Sequence, residues 1–260
     1  MFPVELGVYI GTSRSMRGLT MIKACVFDVG NTLINDSKLV SDTLCDLASW
    51  LKKKGVLREE DAFISAYKEF NRIIHHDHWS HTYGEVEWFR RTVNALRIEG
   101  ISPEEVLIRY RQLIEEKTKP DPDVIKTFRF LRRRGIKVAL LSNERSARMK
   151  MFLKRTKVKS LLDAIVVSEE EGVEKPHPLM FEKVSRELGI KFSEMIMFGD
   201  SEVTDGGGKK LGLRFVLVKA YKDPSWDWGE GSAAEPDYVV EKITRKEIER
   251  CLKAFEEKGD

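Results

Sequence analysis

The chain has 260 residues, enough for one large domain or for a core with a smaller companion. Hydrophobic residues make up 42% and charged residues 33%, a globular composition, and its 45 basic and 42 acidic residues are interspersed, which argues against a nucleic-acid partner. No apolar stretch is long enough to span a bilayer, and Cys25, Cys45 and Cys251 lack the spacing of a zinc site or a disulfide framework, so a cytoplasmic setting is expected.

Met1–Thr20 lacks the basic start and long apolar run of a secretion signal. It reads as a loose tail, or as sequence ahead of a natural start at Met21, with an edge strand over Val4–Ile10 as the alternative. Ile22–Phe27 is nearly all apolar, as expected of a parallel strand covered on both faces. Gly30, Asn31 and Thr32 follow as a loop. Four stretches with helical periodicity come next: Ser41–Lys54, Glu59–His75, Val86–Ile98 and Ser102–Lys117. The last opens on Ser-Pro-Glu-Glu, a good helix start. Four helices in succession predict a small bundle.

After Pro120–Pro122 the pattern alternates. Helices are expected over Asp123–Arg134, Ala147–Arg155 and Pro178–Leu188. Strands are expected over Ile136–Leu141, Ala164–Val167, Met195–Phe198, Phe215–Val218 and Tyr238–Val240, with a loop over Asp223–Pro236. Alternation of this kind implies right-handed crossovers and an α/β fold with a doubly wound, Rossmann-like parallel sheet. The expected division is a tail over 1–20, an α/β core over 21–36 and 120–260, and an α-helical cap over 37–119. The cap would lie over the carboxyl edge of the sheet, where open α/β sheets bind ligands.

Polar groups gather after the strands: Asp28 after the first, Ser142 and Asn143 after the second, Lys175 beyond the third, and Gly199-Asp200-Ser201 after the fourth, with Asp205 further on. The stretches Phe27-Asp28-Val29-Gly30-Asn31-Thr32-Leu33, Leu141-Ser142-Asn143, Glu174-Lys175-Pro176 and Gly199-Asp200-Ser201-Glu202-Val203-Thr204-Asp205 resemble, in this order, the motifs of the haloacid dehalogenase-like hydrolase superfamily. The resemblance spans roughly Met21 to Val240. It implies a phosphatase acting on a small phosphorylated metabolite, with Asp28 as the nucleophile that forms an aspartyl-phosphate. It also implies Mg²⁺ held by Asp28, the Gly30 carbonyl and Asp200, with Asp205 helping directly or through water. Lys175 would neutralise the transferred group and hold Asp28, Ser142 and Asn143 would bind phosphate, and Thr32 would order the loop beside the substrate.

Two departures from the family pattern carry consequences. Phosphatases of the superfamily place a second Asp, the general acid–base, two residues after the nucleophile, and here that residue is Gly30. The leaving group could then be a good one, the proton could come from elsewhere, or the reaction could differ. Dehalogenases and phosphonatases on the same scaffold also lack that Asp. The former, however, need no metal and carry an arginine soon after the nucleophile, whereas none occurs here before Arg58. A phosphonatase would need a cap lysine, and Lys52–Lys54 reads as surface charge at a helix end. A weakly active binding or regulatory protein is the third alternative. The second departure is Gly206-Gly207-Gly208, read as a flexible segment that leaves Asp205 loosely placed. In the cap, His75, His76, His78 and His81 cluster without a familiar zinc spacing and read as surface or packing residues first and a substrate-facing group second.

Overall fold

The computed structural model describes residues 21–77, 84–223 and 232–257. The expectations for residues 1–20, for part of Asp223–Pro236 and for the side chains of His75, His76, His78 and His81 fall outside what is described.

Six strands, β1 (Ala24–Phe27), β2 (Lys137–Ser142), β3 (Ala164–Val167), β4 (Met195–Gly199), β5 (Arg214–Val218) and β6 (Tyr238–Val240), form one sheet in the order β3-β2-β1-β4-β5-β6. Every pairing is parallel. The strands are apolar throughout because both faces are covered, and alternate residues serve opposite layers. Cys25, Phe27, Val138, Leu140, Ile196 and Phe198 pack with residues of α5 (Pro122–Arg133), α6 (Ser146–Thr156) and α9 (Arg245–Glu257). Ala24, Val26, Ala139, Leu141, Met195 and Met197 pack with α8 (Pro178–Leu188) on the other face. A short helix, α7 (Ser168–Glu171), follows β3 directly. The doubly wound α/β fold expected from the alternation is the one observed.

The terminal helix α9 was not anticipated from the sequence. Its signal is there in Ile248, Cys251, Leu252 and Phe255, spaced to share one helix face and all buried.

Four helices stand between β1 and α5: α1 (Asp36–Lys53), α2 (Glu60–Asp77), α3 (Val86–Ala95) and α4 (Pro103–Lys117). They enclose a separate apolar cluster around Leu44, Leu47, Phe63, Phe89 and Tyr110. The first helix begins five residues ahead of the expected Ser41, because the Asn35 side chain accepts the Lys38 backbone N–H at 3.0 Å and starts it there. At α4, Ser102 and Glu105 form a reciprocal capping box.

Candidate active site

The strand order reverses at β1: the chain builds outward to β2 and β3, then returns to β4 on the other side. Strand ends diverge at such a point and leave a crevice. Asp28 leaves β1 and Asp200 leaves β4 at that edge, and the Asp28 backbone N–H still donates to the Phe198 carbonyl at 2.9 Å. Immediately beneath, the Phe27 ring stacks on Phe198 at 4.9 Å and tilts against Phe128 at 5.0 Å. The nucleophile candidate therefore stands on a packed aromatic base.

Lys175 reaches this edge from the loop after α7. Its Nζ donates to Asp28 Oδ1 at 2.7 Å and to Asp205 Oδ1 at 2.6 Å, and the residue is only 4% exposed. The loop is pinned by Asn143, whose Nδ2 donates to the Lys175 carbonyl at 3.0 Å and whose Oδ1 accepts the Lys175 N–H at 2.7 Å. Both polar atoms of the Asn143 side chain are thus engaged by main chain. The side chain thereby places the lysine. Ser142, at the end of β2, is buried at the same edge.

Asp205 is far from loose. It accepts Lys175 and, through Oδ2, the Ser201 backbone N–H at 3.2 Å, and it is 1% exposed. The glycines explain why. A Cβ on Gly199 would stand 2.0 Å from Asp205 Oδ2, so only glycine leaves room for that carboxylate. A Cβ on Gly207 would meet Pro176 Cβ at 2.4 Å, and one on Gly208 would meet the Phe181 ring at 2.9 Å. The triple glycine, a 3₁₀ turn over Gly206–Leu211, is therefore a close-packing device against the Lys175-Pro176 loop. This corrects the reading of a flexible segment.

Asp28, Asp200 and Asp205 can each bring a carboxylate oxygen within 4.8 Å of the others. Thr32 Oγ1 donates to Asp200 Oδ1 at 3.3 Å. Lys222, which the sequence did not single out, donates to the Asp200 carbonyl at 3.1 Å and also pairs with Glu202. Three carboxylates face one ammonium, and the electrostatics reflect that imbalance. Burial, then the Asp28 and Asp205 charges, push Asp200 up to about 8 despite Lys175. Burial likewise pushes Asp205 up to about 6, with Lys175 opposing and Asp28 reinforcing the rise. Burial alone would pull the Lys175 ammonium down, but Asp205 and Asp28 more than offset it and hold it above the ordinary lysine value. A crowded set of hard oxygens with surplus negative charge fits a divalent cation such as Mg²⁺.

Gly30 is not a backbone necessity. Its φ lies outside the left-handed region, and a Cβ there would meet nothing closer than Asp36 Cβ at 3.7 Å, an ordinary contact. The neighbour Asn31 does take a left-handed φ of 52°, tolerated by asparagine, and its Oδ1 accepts the Ser37 N–H and hydroxyl. Beside the gap at Gly30 lies an ionic cluster that the motifs did not reveal. Asp36 pairs with Arg148 of α6, and Arg148 Nε lies 3.5 Å from Glu144 Oε2.

The sequence pattern of haloacid dehalogenase-like hydrolases matches residues 22–212. The chain belongs to that family, and it is a hydrolase. It is similar to a glyceraldehyde 3-phosphate phosphatase of Methanopyrus kandleri, with 30% identity across 78% of this chain and 86% of the relative. It is similar to the pyrophosphatase PpaX of Bacillus mycoides, with 24% identity across 86% and 94%. Among solved structures, the HAD-hydrolase YfnB from Bacillus subtilis bound to magnesium superimposes with a TM-score of 0.68 at 19% identity, covering 90% of this chain and 99% of the other.

Proposed function

We propose that this protein is a Mg²⁺-dependent, cytoplasmic phosphatase that hydrolyses a small phosphorylated metabolite through an aspartyl-phosphate on Asp28. The observation that carries the reading is the buried Lys175 bridging Asp28 and Asp205, with Asp200 completing the acidic set at the β1/β4 crevice. An ammonium at 2.7 Å holds the Asp28 carboxylate in one orientation and offsets the repulsion between it and an incoming phosphate. Asp28 attacks phosphorus, the ester oxygen departs, and water then cleaves the acyl phosphate to release inorganic phosphate. Ser142 would donate to a phosphate oxygen. Asp28, the Gly30 carbonyl, Asp200 and Asp205 would hold the metal, which when bound supplies charge neutralisation on the transferring group. The four-helix insertion acts as the cap that selects the substrate. Relatives named glyceraldehyde 3-phosphate phosphatase make a three-carbon phosphate the first substrate to test.

The test is a panel of glyceraldehyde 3-phosphate, p-nitrophenyl phosphate, acetyl phosphate and 2-chloropropionate, each with Mg²⁺ and with EDTA. Phosphate release that needs Mg²⁺ is expected. Halide release that survives EDTA would sink the proposal in favour of a dehalogenase. Gly30→Asp, for which the backbone leaves room, is expected to raise alkyl-phosphate hydrolysis roughly tenfold and acetyl-phosphate hydrolysis much less, because only the former needs a proton on its leaving group. Equal gains on both would remove that account of Gly30.

Stability should report the same acidic set. A carboxyl whose pKa is raised by folding contributes stability at low pH and loses it as pH rises through the folded value. With Asp205 near 6 and Asp200 near 8, against about 4 when unfolded, metal-free protein is expected to melt at progressively lower temperature as pH rises from about 4 to 8 and to level off above that. Added Mg²⁺ should raise the midpoint more at pH 8.5 than at pH 6, by differential scanning fluorimetry. A midpoint that ignores Mg²⁺ at both pH values would count against these residues as the metal site.

A further inference from the structure

Gly30 leaves the reaction without the proton donor that departure of an alkoxide requires. The side chain nearest to that gap, among the described residues, is Asp36, which Arg148 links to Glu144. The Asp36 carboxyl carbon and Oδ2 lie 4.0 and 3.9 Å from the position of a Cβ on residue 30. The two acids are joined through one guanidinium, with Asp36 paired to Arg148 Nη2 and Glu144 Oε2 3.5 Å from Nε. Glu144 directly follows Ser142-Asn143 at the catalytic edge of β2, and its carbonyl accepts the Ser168 hydroxyl at 3.4 Å, which fixes its main chain there. It is half-buried where the core meets the helical insertion.

We propose that Glu144 is the general acid–base of this enzyme, replacing the carboxylate absent at Gly30. The inference rests on the phosphatase reading above. In the first half-reaction an Asp28 oxygen bonds to phosphorus, the phosphorus–oxygen bond to the leaving group breaks, and the Glu144 carboxyl proton passes to the departing oxygen. In the second, the Glu144 carboxylate takes a proton from water as the water oxygen bonds to phosphorus and the Asp28–phosphorus bond breaks. Glu144 regains its proton, and phosphate leaves.

The division of labour within the cluster follows from the contacts. Asp36 is the acid tied most closely to Arg148. Glu144 has a longer contact to the same guanidinium and a single backbone N–H, that of Arg145 at 3.1 Å. The groups that face it are Arg148 of α6, Asp36 at the start of α1, the Arg145 N–H of its own loop and Glu85 ahead of α3. Burial, with Asp36 and Glu85 reinforcing it and Arg148 opposing, places its carboxyl at about 7, where it can both give and take a proton.

The test separates the two half-reactions by rapid quench. p-Nitrophenolate leaves without a proton, so Glu144→Gln should still release about one equivalent in a burst within about threefold of the wild-type rate, while steady-state turnover falls about 100-fold or more. With glyceraldehyde 3-phosphate both phases should fall together. Glu144→Asp keeps a titratable carboxyl and should retain turnover within about tenfold of wild type. The proposal is overturned if Glu144→Gln leaves turnover unchanged, if it slows the p-nitrophenolate burst as much as turnover, or if Glu144→Asp loses as much as Glu144→Gln. No phosphate release from any substrate by the wild-type protein would instead bring down the phosphatase reading, and this inference with it.

Discussion

Asp28→Asn is expected to lower phosphate release about 10⁴-fold or more while raising the stability of the metal-free protein. The amide has the shape of the carboxylate but cannot attack phosphorus, so no covalent intermediate forms and the remaining groups can only bind. The effect on stability has the opposite sign for an electrostatic reason. The Asp28 charge helps to push both Asp200 and Asp205 upward, and removing it relieves that repulsion. Lys175 keeps its ion pair with Asp205 in the variant. The alkaline loss of metal-free stability should therefore shrink, because the two remaining carboxyls titrate closer to their unfolded values. Activity is read as phosphate release with Mg²⁺, and stability as the thermal midpoint in EDTA at pH 6 and 8.5. A variant that is both inactive and less stable at both pH values would mark Asp28 as a structural residue and remove it as the nucleophile.

The elements most legible in the sequence are those with local causes. Strand β3 and helix α8 lie where the apolar runs and the Pro178 and Gly189 boundaries place them, and the four helices of the insertion follow their own periodicity. The candidate site was visible because its members close separate strands, and strand order brings those ends together. What stayed hidden depends on contacts between distant segments. Three glycines in a row read locally as freedom, yet here they mark where Pro176, Phe181 and Ala234 approach the backbone. Asn143 reads as a polar group beside a phosphate, and only the fold shows that Lys175 main chain, 32 residues away, engages both its polar atoms. Asp36, Glu144 and Arg148 are ordinary charged residues in the sequence, and they meet only because the fold brings the start of α1 against Arg148 of α6.

Replacing Lys175 by Met should cost about 3–5 kcal/mol of stability in the absence of metal and cut turnover by roughly a thousandfold. The apolar stem of methionine fills much the same space, so the loss is one of charge. Asp205 is 1% exposed and cannot recover hydration in place of the ammonium, while its remaining donor is the Ser201 N–H. About 3 kcal/mol corresponds to a midpoint roughly 6–12 °C lower for a chain of this size. The pH dependence gives the sign check. The lysine's folded pKa is raised, so its stabilisation is fully present at neutral pH and lost only as pH rises through the folded value, above the ordinary lysine range. Without it, Asp205 loses the opposing cation and its pKa rises further, so the variant's deficit should be smaller at pH 5, where the carboxyl is protonated, than at pH 8. Mg²⁺ should recover part of the deficit at pH 8 by taking the same negative charge, without restoring turnover, because a cation in the acidic set does not hold the Asp28 carboxylate as Nζ does. A deficit equal at both pH values and indifferent to Mg²⁺ would mean that Lys175 stabilises by packing alone, and the electrostatic account of the site would fall with it.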